Sequence, residues 1–227
     1  LKIRMLIQGN FRQETALEIK DLLLKNLHCE KRNSIIRKVQ NCHTLKIPKG
    51  DTHLKVKSLL PNDKNSIVKN YYQIDTDGGI ESVCLLELLV KILREPLFNT
   101  LRTREQLGYN VSCAIKCDND VYGLSIIAES QEKRNSARLV DARIEKFLWD
   151  FYSTMLSEMC DDDFETMKCS IVNQRRSLDI DLESEMSRNW CEIRERKYNF
   201  ERSEIEARQL ELLNKDSLMI FFKEHIL

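Results

Sequence analysis

A cation and a phenol at the junction of two elements are the side chains of this sequence best suited to chemistry. Arg102 lies near the end of a helical segment, Gly108 ends that segment, and Tyr109 opens a strand. A guanidinium and a phenol can both hydrogen-bond a substrate carbonyl, or the oxyanion that it becomes. The alternative is structural: Arg102 offsets the helix dipole and Tyr109 packs in the sheet. Residue types alone favour the structural role for these residues.

The histidines and cysteines do not form a metal-binding pattern. The four histidines are His28, His43, His53 and His225. No two of them are four residues apart, the spacing with which a helix places two ligands on one face. Cys113 and Cys117 share a strand face, but four residues span about 13 Å at roughly 3.3 Å each. Since metal ligands must converge on one point, we expect no metal site in this chain.

Other classes of site also have little support. The sequence has neither the glycine-rich loop that cradles phosphates nor the Gly-x-Ser-x-Gly turn that presents a nucleophilic serine. The 36 basic residues balance the 36 acidic ones, which disfavours a nucleic-acid binder. Residues 31–57 carry a net charge of +7 but lack the interleaved aromatic residues that stack single strands. With no uncharged apolar run of about 18 residues, we also expect no membrane partner.

The cysteine content bears on the cellular location of the protein, and the first residue bears on whether the sequence is a piece of a longer one. Most of the eight cysteines lie inside apolar runs, and no secretion signal opens the sequence. A chain of this size does not need disulfides to fold. We therefore expect reduced thiols and a cytoplasmic location. The sequence starts with Leu1 rather than methionine, and we interpret it as a piece of a longer protein.

The hydrophobic periodicity predicts a single α+β domain over residues 1–227, with a mostly antiparallel or mixed sheet and helices packed on one face. The predicted strands are 1–8, 43–47, 53–59, 67–74 and a hairpin of 109–117 with 121–128. The predicted helices are 16–27, 80–94, 97–107 beyond the break expected at Pro96, 140–155 with Ser136 as cap, one opened by Asp162, 182–193, 205–213 and a last one capped by Asp216.

Two motifs of the sequence resemble a known family. The run Pro96-Leu97-Phe98-Asn99, Leu101-Arg102-Thr103 and Glu105-Gln106-Leu107-Gly108-Tyr109 closely resembles the C-terminal portion of pitrilysin-type (insulinase) zinc metalloendopeptidases. The run Lys197-Tyr198-Asn199-Phe200-Glu201-Arg202 is similar to the same family. Order and spacing agree along nearly the whole chain, so the resemblance identifies it as the fourth, C-terminal domain of such an enzyme.

This resemblance implies a function for the whole protein and a role for two residues. Members of the family have four homologous α+β domains in two halves that enclose a chamber, and Zn²⁺ is held by the N-terminal half. The chain would then be a non-catalytic domain, inactive alone, whose partners are oligopeptide substrates and the N-terminal catalytic half. The residues that match Arg102 and Tyr109 assist catalysis, the arginine by positioning the substrate backbone and the tyrosine by stabilising the tetrahedral intermediate.

A second hypothesis stays open beside this one. The chain could be a catalytically inactive homologue that binds peptides or supports a partner half without hydrolysis. An extended peptide added to a sheet edge would provide such binding. The sequence upstream of Leu1 discriminates the two, since a zinc-binding motif there favours the enzyme.

Overall fold

The computed structural model describes residues 3–27, 44–48, 50–60, 62–74, 79–131 and 134–227. The chain divides into two compact units. The first comprises Leu1–Cys42 and Ser177–Ser203, and the second comprises His43–Arg176 and Glu204–Leu227. The single domain predicted over residues 1–227 stays a prediction.

The second unit contains a three-stranded antiparallel sheet. Its strands are β1 (Asn65–Ile74), β2 (Asn110–Asp118) and β3 (Val121–Gln131), in the order β1-β3-β2. Four helices lie within this unit: α2 (Gly79–Leu97), α3 (Ala137–Asp150), α4 (Asp161–Arg176) and α7 (Lys215–His225). Two π-helical segments, Phe98–Arg104 and Phe151–Leu156, extend α2 and α3. The first unit contains α1 (Gln13–Asn26) and α5 (Leu182–Arg194), and α6 spans Arg202–Leu212. The predicted α+β class with an antiparallel sheet is confirmed.

One face of the sheet forms part of the hydrophobic core of the second unit. Alternate residues of β3 lie on this face, and Leu124, Ile126 and Ala128 are buried there. Their partners in β2, Val111 and Cys113, are buried as well. Helices α2 and α3 pack against the sheet. The alternation of apolar residues along the strands therefore determines which face of the sheet the helices pack against.

The predicted hairpin is confirmed, and its turn fixes the register of β2 and β3. Asn119 and Asp120 both adopt left-handed backbone conformations, with φ of 51° and 67°. Two such residues form the tight turn whose twist matches the strands that it joins. Asp118 therefore pairs with Val121, and the same register places Asn110 opposite Glu129.

The predicted helices are present among the described residues, but two of the three predicted helix caps are wrong. Ser136 caps α3, since its side chain accepts a hydrogen bond from the Leu139 amide at 3.3 Å. The cap expected at Asp162 was wrong, because Cys160 Sγ accepts the bond from Asp163 N at 3.4 Å and α4 begins at Asp161. The cap expected at Asp216 was also wrong, since Asn214 accepts from the Ser217 amide at 2.8 Å.

Three predicted strands are absent from the part of the chain that the structure describes. Residues 3–8, 44–47 and 53–59 have alternating patterns but no strand partner. A strand needs a neighbour to satisfy its backbone groups. In one of these segments a side chain replaces that neighbour, because Gln73 accepts from Ile47 N at 2.7 Å and donates to Leu45 O at 3.1 Å.

Two further expectations concern membranes and thiols. No helix among the described residues is long and apolar enough to cross a membrane. Six cysteines have free thiols: Cys84, Cys113, Cys117, Cys160, Cys169 and Cys191. Cys29 and Cys42 lie outside the described residues.

Candidate functional site

Three buried leucines anchor the segment between α2 and β2. Helix α2 runs through Pro96 instead of ending at it, and it widens into the π-helical segment from Phe98. Leu97 and Leu101 have no solvent exposure, and Leu107 retains 6%. The Leu107 amide closes the segment by donating to Leu101 O at 2.9 Å. Because these leucines fix the inner side, Arg102 is directed outward. We call residues 102–109 the corner.

Gly108 lets the end of the corner lie directly against β3. A Cβ atom at this position would lie 2.3 Å from the main-chain oxygen of Glu129. Carbon and oxygen atoms that are not bonded cannot approach so closely, so a side chain would force the two backbones apart. The next residue uses this proximity, since Tyr109 N donates to Glu129 O at 3.0 Å. The glycine of the motif is therefore a packing requirement of the corner.

The Arg102 guanidinium is exposed and is held on two sides. Its Nε atom donates to the main-chain oxygen of Tyr109 at 3.1 Å. Its Cζ atom lies 4.9 Å from the centroid of the Phe98 ring, a distance at which a cation is attracted to the ring face. These contacts fix the direction of the side chain and leave the terminal nitrogens exposed to solvent and to a ligand.

The Tyr109 side chain stands on the surface at the start of the hairpin. It is 55% exposed, so it does not pack into the sheet as the structural alternative required. Hydrogen bonding to the Glu129 carboxylate raises the pKa of the Tyr109 phenol above its ordinary value of 10.0. The phenol is protonated at neutral pH and can therefore donate a hydrogen bond. Glu129 also accepts from Asn110 Nδ2 at 3.3 Å.

The sequence-based search missed Glu129, although the hairpin offered a signal for it. Once Asn119-Asp120 is taken as a two-residue turn, counting back along both strands pairs Asn110 with Glu129. That register places a carboxylate beside the start of β2, where Tyr109 lies. Two side chains from beyond β3 also contact the corner: Asn135 Nδ2 donates to Leu107 O at 2.9 Å, and Arg143 Nε donates to the Glu105 carboxylate at 2.7 Å. They gave no comparable signal, because nothing in their spacing links them to the corner.

The structure brings Arg102 and Tyr109 together, and their catalytic role stays a prediction. The guanidinium of Arg102 donates to the main-chain oxygen of Tyr109, and the exposed phenol of Tyr109 extends from that same backbone, which buried leucines anchor. Such a pair can bind a peptide carbonyl and can donate to a developing oxyanion. Its rigidity suits transition-state stabilisation, which depends on donors that need not reorganise during the reaction.

No metal centre accompanies the pair within the described residues. Across them, no group of three or more histidine, cysteine, aspartate or glutamate side chains could hold a metal ion. His53 and His225 belong to this part of the chain, whereas His28, Cys29, Cys42 and His43 lie outside it. The described residues therefore offer no ligand set for a zinc ion.

Comparisons with known proteins agree on one family. Residues 88–190 match the family model of the PQQ synthase PqqF-like C-terminal lobe, domain 4. Nardilysin of Pongo abelii is 32% identical over 181 residues, which cover 80% of this chain and 16% of that protein. Insulin-degrading enzyme of Bos taurus is 29% identical over 227 residues, which cover 99% of this chain and 22% of that protein.

A solved structure shows the same fold. The crystal structure of pitrilysin superposes with a TM-score of 0.64 at 23% sequence identity, over 73% of this chain and 17% of that chain. The chain thus spans between about a sixth and about a fifth of the length of the relatives that it matches.

Proposed function

Because this chain belongs to the pitrilysin (insulinase) peptidase family as a C-terminal-type domain homologous to nardilysin and insulin-degrading enzyme, we propose that it is the substrate-chamber domain of a zinc endopeptidase. The proposed reaction of the full-length protein is hydrolysis of oligopeptides. The observation that carries this proposal is the exposed pair of Arg102 and Tyr109, linked by the bond from Arg102 Nε to the Tyr109 main-chain oxygen.

Arg102 is assigned the task of positioning the substrate backbone. Its terminal nitrogens can donate in a fixed plane to a peptide carbonyl, which a flexible lysine ammonium cannot do. The contacts with Phe98 and with the Tyr109 carbonyl hold that plane before substrate arrives. Little side-chain freedom is then lost on binding, so more of the interaction free energy orients the peptide.

Tyr109 is assigned the stabilisation of the tetrahedral intermediate. Its phenol is protonated at neutral pH, as is usual for tyrosine, and can donate a hydrogen bond. In the reaction the hydroxyl would donate a hydrogen bond to the oxyanion of the intermediate. The phenol then donates only where negative charge develops, which lowers the barrier without tightening substrate binding.

The metal of the proposed enzyme would be held outside this chain. The described residues offer no set of metal ligands. The proposed partners are therefore oligopeptide substrates and an N-terminal catalytic half of the same protein. We include a cytoplasmic location in the proposal.

Kinetics of the full-length protein test the proposal. A fluorogenic oligopeptide is assayed with the wild-type protein and with the double variant Arg102→Ala/Tyr109→Phe. We expect kcat/KM to fall by at least about 10²-fold, the usual effect of losing a donor to an oxyanion. The matched control, Arg138→Ala/Tyr198→Phe, changes an exposed arginine and an exposed tyrosine outside the corner. Equal rates for the double variant and its control would contradict the proposal.

A further inference from the structure

The corner contains a backbone conformation that needs outside support. Gln106 adopts a left-handed conformation with φ of 52°, which residues other than glycine rarely do. Such conformations persist only where neighbouring contacts over-determine them. Gln106 lies midway between Arg102 and Tyr109, so its conformation sets how the helix and the strand meet.

Asn135 supplies the first support from the connection between β3 and α3. Its Nδ2 atom donates to Leu107 O at 2.9 Å and to Gln106 O at 3.3 Å. One amide group therefore holds two successive carbonyl groups of the corner. Asn135 is itself fixed, since its backbone amide donates to Gln131 O at 3.0 Å and the next residue, Ser136, caps α3.

Arg143 supplies the second support from the body of α3. Its guanidinium binds the Glu105 carboxylate with two parallel hydrogen bonds: Nε to Oε2 at 2.7 Å, and Nη2 to Oε1. Both side chains are partly buried, with 35% and 21% exposed. A paired geometry of this kind fixes orientation as well as distance. Glu105 directly precedes Gln106, so the left-handed residue is held on both sides.

We propose that Asn135 and Arg143 are positioning residues for peptide hydrolysis, which hold residues 105–107 so that Arg102 and Tyr109 keep their geometry. The inference rests on the proposed function and assigns it two residues that contact the corner from another element. Neither residue needs to touch the substrate. Both act through the backbone that carries the guanidinium and the phenol.

Hydrogen exchange tests the positioning without using activity. Leu107 and Tyr109 have hydrogen-bonded amides, so exchange in a peptide spanning residues 101–112 is slow while the corner is intact. Asn135→Asp keeps the shape of the side chain but replaces its donor with a carboxylate that faces two carbonyl oxygens. In the full-length protein we expect faster exchange in that peptide than in the wild type. Wild-type exchange would overturn the positioning.

Kinetics then connect the positioning to the reaction. Asn135→Asp and Arg143→Lys are expected to lower kcat by about 10-fold or more, because small displacements of catalytic groups are costly. Matched controls are Asn173→Asp and Arg138→Lys, at exposed positions on α4 and α3. Combined with Arg102→Ala/Tyr109→Phe, Asn135→Asp should add no further loss, since it acts through those two residues. Independent, multiplying losses would overturn the inference, and so would control-like rates for both single variants.

The two proposals can fail separately. If Tyr109→Phe leaves turnover unchanged, the proposed function fails, and exchange in residues 101–112 still tests whether Asn135 holds the corner. If Tyr109→Phe lowers turnover while Asn135→Asp and Arg143→Lys behave like their controls, the positioning fails and the proposed function stands. Arg143→Lys keeps the charge of its residue, so it gives a result even where Asn135→Asp does not fold.

Discussion

The Nε atom of Arg102 donates a hydrogen bond to the main-chain oxygen of Tyr109 over 3.1 Å. The bond links the last turn of a widened helix to the residue that precedes β2. The Arg102 side chain is therefore tied to the backbone from which the Tyr109 side chain extends. A shared anchor of this kind pre-organises two groups that are proposed to act on one peptide bond.

Replacing Arg102 by lysine keeps the positive charge and removes the planar guanidinium, so it tests whether the geometry of this side chain matters. A lysine side chain cannot donate from an Nε–H in a guanidinium plane, and it lacks the flat surface that lies over Phe98. In Arg102→Lys we expect kcat/KM of the full-length protein to fall by about 10–100-fold, since a hydrogen bond to a charged group contributes about 1.5–3 kcal/mol. Steady-state kinetics against Arg104→Lys, an exposed neighbour, provide the measurement. Equal kinetics for the two variants would refute the geometric role.

A methyl group at Gly108 should disrupt the corner itself. The added Cβ would meet the Glu129 backbone at 2.3 Å, and no side-chain rotation can relieve that contact. We expect Gly108→Ala to reduce the free energy of unfolding by about 1–3 kcal/mol, measured by urea denaturation.

Gly123 provides the matched comparison, because there the added Cβ would meet the ring of Tyr71 at 2.4 Å. In Gly123→Ala, a second change of Tyr71→Ala removes the obstacle, so the double variant should lose less than the sum of the two single losses. If Gly108→Ala were as stable as the wild type, the close approach to Glu129 would not constrain the corner.

The pH dependence of stability should reveal an ion pair in the first unit. The Glu192 carboxylate accepts from the Arg202 guanidinium and from Asn199 N, and the bond to Arg202 lowers its pKa below the ordinary 4.5. A carboxyl group whose pKa is depressed by folding stabilises the protein fully above its unfolded-state value. That stabilisation is lost as the pH falls through the folded-state value.

Glu192→Gln measures this contribution. At pH 7 we expect it to lower the free energy of unfolding by about 2 kcal/mol, the scale of a hydrogen bond to a charged group. The difference from the wild type should shrink as the pH falls below 4.5. Glu201→Gln changes an exposed glutamate nearby and should show no such trend. A difference that stayed constant from pH 7 to low pH would exclude the charge of Glu192 as its cause.

The isolated 227-residue chain should have neither bound zinc nor peptidase activity. Its described residues contain no group of three or more potential metal ligands, and the water-activating centre is proposed to lie elsewhere in the protein. Zinc content by atomic emission, together with an oligopeptide assay, checks both points. Stoichiometric zinc or hydrolysis that a chelator abolishes would show that the chain carries a metal site of its own.

The sequence predicted the features that depend on local pattern. The hairpin follows from alternation on both sides of Asp118-Asn119-Asp120, and α3 follows from its periodicity and the Ser136 cap. Strands were harder to predict, because a segment forms a strand only when a neighbouring strand is available. The alternation in residues 53–59 resembles that of β1, yet this segment has no strand partner among the described residues. Predictions of helix caps were wrong where several possible cap residues are adjacent, as at the start of α4, where Cys160 precedes three aspartates.

The residues of the candidate site were likewise predicted only in part. Arg102, Gly108 and Tyr109 were predicted from a motif that is continuous in sequence. Asn135 and Arg143 reach the corner only through the packing of α3, which no local spacing reveals. The left-handed conformation of Gln106 was equally hidden, because glutamine is an unusual residue for it.

The most direct measurement compares the effect of Tyr109→Phe on turnover with its effect on substrate binding. In the full-length protein we expect kcat to fall by about 10²–10³-fold with KM nearly unchanged, because the phenol donates only to the oxyanion of the intermediate. The Ki of a phosphinic peptide that mimics the tetrahedral intermediate should rise in parallel. Wild-type kcat together with an unchanged Ki would contradict a role for Tyr109 in the hydrolytic step.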